Sequence, residues 1–132
     1  MANTFKVITH TAMGNNAGTP ETLYTVPNSP STTTVVIGLT LCNITTSSVL
    51  IDVHLESDTT NTGQAQNADI HLAKDVPIAV GSSLELLTGG KYVLQATDVL
   101  KIDSNVNGAV DVSLNIMAVS YTHLTLPTIY SV

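Results

Sequence analysis

The chain has 132 residues, 43% of them hydrophobic and only 11% charged, and the remainder is rich in Thr, Ser, Asn and Gly rather than in the helix-favouring Glu, Lys, Arg and Gln. That length suits one domain able to bury roughly two thirds of its unfolded surface, and that composition points to β-structure. The formal charge is -6 and the four basic residues are all Lys (Lys6, Lys74, Lys91, Lys101), so there is no cationic track for phosphates and nucleic-acid binding is not expected.

No apolar stretch approaches the roughly 20 residues that span a bilayer, and the opening MANTFKVITH lacks the charged-then-apolar pattern of a secretory signal. The expectation is a chain made in the cytoplasm with no membrane association. Cys42 is the single cysteine, so an intrachain disulfide is excluded, and its place in the run VVIGLTLCN suits a small buried side chain better than a nucleophile.

Taken in chain order, period-two alternation first appears at Phe5 and Val7 with Ile8 opposite, then at Val35, Ile37, Leu39 and Leu41, with Thr34, Thr40 and Cys42 on the other parity. Val49, Ile51, Val53 and Leu55 follow, with Asp52, His54 and Glu56 pointing the other way. Beyond a polar stretch, Ile70 and Leu72 alternate with Asp69, His71 and Lys74. Later segments are 83–87, 91–95, 99–103 and 109–117, separated by turn signals at Gly81, Gly89-Gly90, 96–98 and 105–108. Asn107-Gly108 is the clearest hairpin signal.

This pattern predicts an all-β, single-domain antiparallel β-sandwich, jelly-roll-like, with about eight strands. Two polar segments, 12–21 and 57–68, are expected to project from it as contact loops.

Among side chains that could carry chemistry, Asp52, His54 and Glu56 form the sharpest set, because residues two apart on a strand share a face at about 6–7 Å. Carboxylates and histidines on a wet strand face are also ordinary solubilising residues, and a closed metal site needs ligands converging from more than one element. His10, His54 and His71 read as isolated on separate strands. The sequence therefore assigns no catalytic residue, no cofactor and no metal, with Asp52, His54 and Glu56 as the set to locate.

A Gly-x-Ser-x-Gly elbow is absent, and Gly89-Gly90-Lys91 lies between strand patterns, where no helix start is available to hold an anion. Aromatic platforms for sugars are scarce, with no Trp, one Phe and four Tyr; Tyr24 and Tyr92 are the available ones and read equally well as packed strand residues.

The stretches YTVPNSPSTTTVVIGLTLCN, VPIAVGSSLELLTGGKYVLQATDVLKI and DVSLNIMAV, together with the MANTFK opening, resemble a group of small β-rich virion proteins of tailed phages from aquatic bacteria. The resemblance covers residues 1–118 and implies a structural role in a head, neck or tail part, without residues of assigned catalytic function to carry over. It implies a non-enzymatic virion protein, made in the host bacterial cytoplasm, that self-associates as a homo-oligomer and docks on other virion proteins. A carbohydrate- or surface-binding β-sandwich module, using 12–21 or 57–68 as recognition loops, is the alternative.

The end of the chain reads differently. The run VSYTHLTLPT can be encoded by GTC TCT TAT ACA CAT CTG ACG CTG CCG ACG, which resembles a transposase-based sequencing adapter in reverse complement. The preceding strand alternates Val110, Val112, Leu114 and Ile116 against Asp111, Ser113 and Asn115, whereas Val119 and Tyr121 fall on its polar face. Residues 1–118 are thus expected to form the domain, and 119–132 to be a non-native tail from assembled environmental DNA.

Overall fold

The computed structural model describes residues 2–14, 17–28, 31–57, 68–86 and 91–120. Among them are nine strands and no helix: β1 (Ala2–Met13), β2 (Glu21–Thr25), β3 (Thr32–Asn43), β4 (Val49–Glu56), β5 (Ile70–Ile78), β6 (Ser83–Glu85), β7 (Tyr92–Leu94), β8 (Val99–Ser104) and β9 (Val110–Ser120). In the first sheet β9 lies between β1 and β3, and the far side of β3 pairs with β6 at one end and β7 at the other. The second sheet runs β2, β8, β4, β5, and every pairing in both is antiparallel. The chain is an all-β sandwich, with β2 the strand beyond the eight expected.

Alternation builds the core. Val110, Val112, Leu114 and Ile116 of β9 are each at most 3% exposed, and Val49, Ile51 and Val53 of β4 are fully buried together with Ile102 of β8. Branched aliphatic chains pack well on a pleated surface, and each one buried is worth about 1.5–3 kcal/mol. The core is aliphatic throughout, apart from Met13 and the partly buried Tyr24.

The apolar face that alternation marks turns outward in β1 and is split in β3. In β1, Ile8 lies opposite Leu114 and packs on the core, while Phe5 and Val7 face outward at 73% and 63% exposure. In β3 the pairing with β9 slips between Val36 and Gly38, a bulge set against Asn115. Thr34 and Val36 face inward before the bulge and Leu39 and Leu41 after it, so Val35 and Ile37 are left on the outer face. A strict period of two presumes that no residue is inserted, and one inserted residue reverses every side chain beyond it.

Asn107-Gly108 also departs from expectation: it joins β8 of one sheet to β9 of the other, making a corner between sheets rather than a hairpin. Gly108 has φ +61 and its N–H donates to the Gly14 carbonyl at 3.0 Å. Gly14 has φ +82, and a Cβ there would meet Ser104 Cβ at 3.0 Å, so Gly14 has no room for a side chain, whereas the left-handed backbone at Gly108 favours glycine by conformation alone.

The described residues of the 12–21 segment, 12–14 and 17–21, are pinned rather than projecting, and 15–16 lie outside the described residues. Met13 is wholly buried, Ala17 N–H donates to Asn107 Oδ1 at 2.8 Å, and Gly18 N–H donates to the buried Asp103 carboxylate at 3.1 Å. Of the 57–68 segment, 58–67 lie outside the described residues, as do Gly89 and Gly90. Strand β9 continues past residue 118, with Val119 opposite both Asn3 and Thr33, and residues 121–132 lie outside the described residues. Main-chain pairing makes little demand on side-chain identity.

These faces predict unequal costs for positions on the inner and outer faces of one sheet. Leu114→Ala should lower the unfolding free energy by about 2–5 kcal/mol, and Phe5→Ser in dilute solution should change it by less than about 0.5 kcal/mol, as read from urea denaturation.

Candidate functional site

Strand β4 turns Asp52, His54 and Glu56 to the outer face of the second sheet, as its alternation predicts. What faces them is decided by the edge strand β5, whose pairing with β4 slips twice. Ile51 pairs with Val76 and Val53 with Ala73, so Asp52 confronts two residues, Lys74 and Asp75. Asp75 takes φ +50, and its N–H is claimed by Asp52 Oδ1 at 2.6 Å. The second slip makes Leu72 the extra residue, packs it against the core, and sets His71 directly across from His54.

The result is a cluster that sequence spacing does not show. The His54 and His71 ring centroids are 4.3 Å apart with the planes tilted by 48°. One ring nitrogen from each and a carboxylate oxygen of Asp52 all lie within 4.8 Å of one another. His71 is exposed and the other two are half-buried. Nε2 of His54 is shielded from solvent and has no hydrogen-bond partner among the described residues; an unpaired buried polar atom costs about 1–3 kcal/mol.

Glu56 is not part of this cluster. Its carboxylate pairs with Lys101 Nζ of β8 at 3.0 Å, so the expected trio Asp52, His54 and Glu56 is replaced by Asp52, His54 and His71. Directly opposed residues on neighbouring strands come to about 4.5–5.5 Å, closer than next-but-one residues on a single strand. The expectation that His54 and His71 stand isolated is corrected for the same reason. Only a bulge at Leu72 makes them partners, and a bulge of that kind leaves no mark in the apolar alternation.

Other sequence candidates are placed by ordinary contacts. His10 presents Nε2 to Glu21 at 2.9 Å and Nδ1 to the Thr11 carbonyl at 3.0 Å. Cys42 is half-buried on the outer face of the first sheet rather than in the core, beside a shallow depression of about 350 Å³ that Thr9, Thr40, Asp111 and Ser113 also line. Asp111 accepts hydrogen bonds there from Thr11 Oγ1 and Ala12 N–H, both at 2.9 Å. Tyr24 is half-buried against the core with its hydroxyl 2.8 Å from Thr34 Oγ1, whereas Tyr92 is 39% exposed.

The outer face of the first sheet carries a second feature. Phe5 lies opposite Met117, Met117 opposite Val35, and Val35 opposite Val93, a row of four apolar side chains across β1, β9, β3 and β7. Phe5 and Val93 stand 73% and 63% exposed, and Val7 and Ile37 lie beside the row. The row exists because Phe5, Val7 and Val35 face away from the core.

The fold and the two outer faces define a two-sheet antiparallel β-sandwich with a histidine pair on one face and an apolar row on the other. In comparisons with known proteins, no family model, no curated protein and no solved structure matches the chain.

The bulge gives Asp52 a structural task that Glu56 lacks. In chelator-containing buffer, Asp52→Ala should lower the unfolding free energy by about 1–3 kcal/mol through loss of the acceptor for the Asp75 amide. Glu56→Ala breaks only a partly exposed ion pair and should cost about 0–1 kcal/mol. Equal losses in urea denaturation would contradict this assignment.

Proposed function

We propose that this chain is a non-enzymatic structural protein of a tailed-phage virion, made in the host bacterial cytoplasm, that acts by self-association and by docking on other virion proteins. The resemblance of residues 1–118 to small β-rich virion proteins supplies the phage context. The observation that carries the assembly reading is the apolar row Phe5, Met117, Val35 and Val93. Exposed apolar side chains that adjoin one another, rather than standing singly, mark an interaction site.

The sheet edges point the same way. Edge strand β5 carries two bulges, Lys74 and Pro77, the devices that discourage strand addition. Edge strand β1 is twelve residues long and bears Phe5 and Val7 on its outer face. Stacking the outer faces of two copies row against row covers Phe5, Met117, Val35 and Val93 of both, a twofold arrangement that closes on itself.

Native mass spectrometry of the full chain at micromolar concentration tests this. A discrete homo-oligomer is expected, and Phe5→Ser combined with Val93→Ser should shift it to monomer while leaving the melting temperature of the monomer unchanged. A wild-type chain that stays monomeric, or an oligomer indifferent to both substitutions, would overturn assembly through this face.

We also propose that residues 119–132 are the translated adapter, with Val119 and Ser120 extending β9 through main-chain pairing alone. A chain ending at Ser120 should then melt at the temperature of the full chain and form the same oligomer. A drop of several degrees would mean that the tail belongs to the protein.

A further inference from the structure

We infer that Asp52, His54 and His71 bind a divalent transition-metal ion of the zinc class. Two imidazole nitrogens and one carboxylate oxygen make a donor set that suits zinc and its neighbours, whereas calcium and magnesium prefer all-oxygen sites. The three ligand atoms lie within 4.8 Å of one another and come from two paired strands, so their backbone positions are held by the ladder between β4 and β5. At zinc–ligand distances of about 2.0–2.1 Å, tetrahedral ligand atoms stand about 3.3 Å apart. Closing the cluster therefore needs only side-chain rotation of roughly 1.5 Å, which the exposed His71 ring can supply.

Two further observations support the site. Nε2 of His54 is buried without a partner among the described residues, and a cation coordinated by that nitrogen would give it one. Asp52 is already oriented, because the Asp75 N–H holds Oδ1 at 2.6 Å and leaves Oδ2 available, in the way outer-shell hydrogen bonds steer metal-bound carboxylates. The competing cation is Lys74, whose Nζ lies 3.9 Å from Oδ2 on a side chain 60% exposed, free to swing into solvent when the ion arrives. Three protein ligands leave the fourth position to water or to a donor group from another molecule. The bound ion would staple the edge strand β5 to β4. This inference is independent of the assembly reading, since the cluster lies on the opposite sheet from the apolar row.

The test is zinc titration of the chelator-stripped full chain, followed by calorimetry and by thermal unfolding. One zinc per chain and a zinc-dependent rise in melting temperature are expected, with no rise on adding calcium. His71→Ala removes an exposed side chain and keeps the fold, as circular dichroism would verify, and should weaken zinc binding tenfold or more. His10→Ala and His123→Ala should bind as the wild type does. Failure of the stripped chain to take up zinc saturably, or uptake unaffected by His71→Ala, would overturn the site.

Discussion

Pairing of β9 with β1 on one side and β3 on the other, with Val110, Val112, Leu114 and Ile116 all turned inward, sets where every other element can go. A central strand with four such side chains in a row must be covered along its length, or the hydrophobic gain is forfeited. Val49, Ile51 and Val53 of β4 and Leu100 and Ile102 of β8 supply the cover from the second sheet. The corner at Asn107-Gly108 is the covalent expression of that demand, since it carries the chain from β8 of the covering sheet straight into β9 of the covered one.

The polar residues that make up much of the chain are what close the ends of this aliphatic sandwich. Asn43 is 3% exposed, and its Nδ2 donates to the Ser47 and Ile78 carbonyls while its Oδ1 accepts from Thr45 N–H and Oγ1. The buried Asp98 accepts from Ser57 Oγ and Gln95 N–H, and Asp103 from the amides of Gly18 and Ser104. Each of these short side chains takes up main-chain groups that a turn leaves without a ladder partner, which is the condition for burying them.

Both surface features arise from register. The bulge opposite Asn115 in β3 lets Val36 and Leu39 share the core although they are three apart, and in doing so leaves Val35 and Ile37 on the outer face beside Phe5 and Met117. The bulge at Leu72 in β5 does the reverse, bringing a polar residue into register with His54 where unbroken pairing would have set a leucine. A residue inserted at an edge or beside a site re-aims its neighbours at small cost to the ladder, and here the same device makes an apolar row on one sheet and a histidine pair on the other.

The sequence by itself determined the class of fold and the two strands where alternation runs unbroken. β4 and β9 have the faces their residues announce, from Val49 to Val53 and from Val110 to Ile116, because side-chain direction on a strand is local and alternates with every residue. It also placed Asp52 and His54 together on the wet side of β4. The tertiary structure alone decided which side of β1 faces the core, where β3 changes parity, and that His71 rather than Glu56 completes the cluster. Those outcomes depend on which strand lies alongside and on where an extra residue is inserted to fit it. Both are properties of pairs of strands distant in the chain, so no single segment's pattern can carry them.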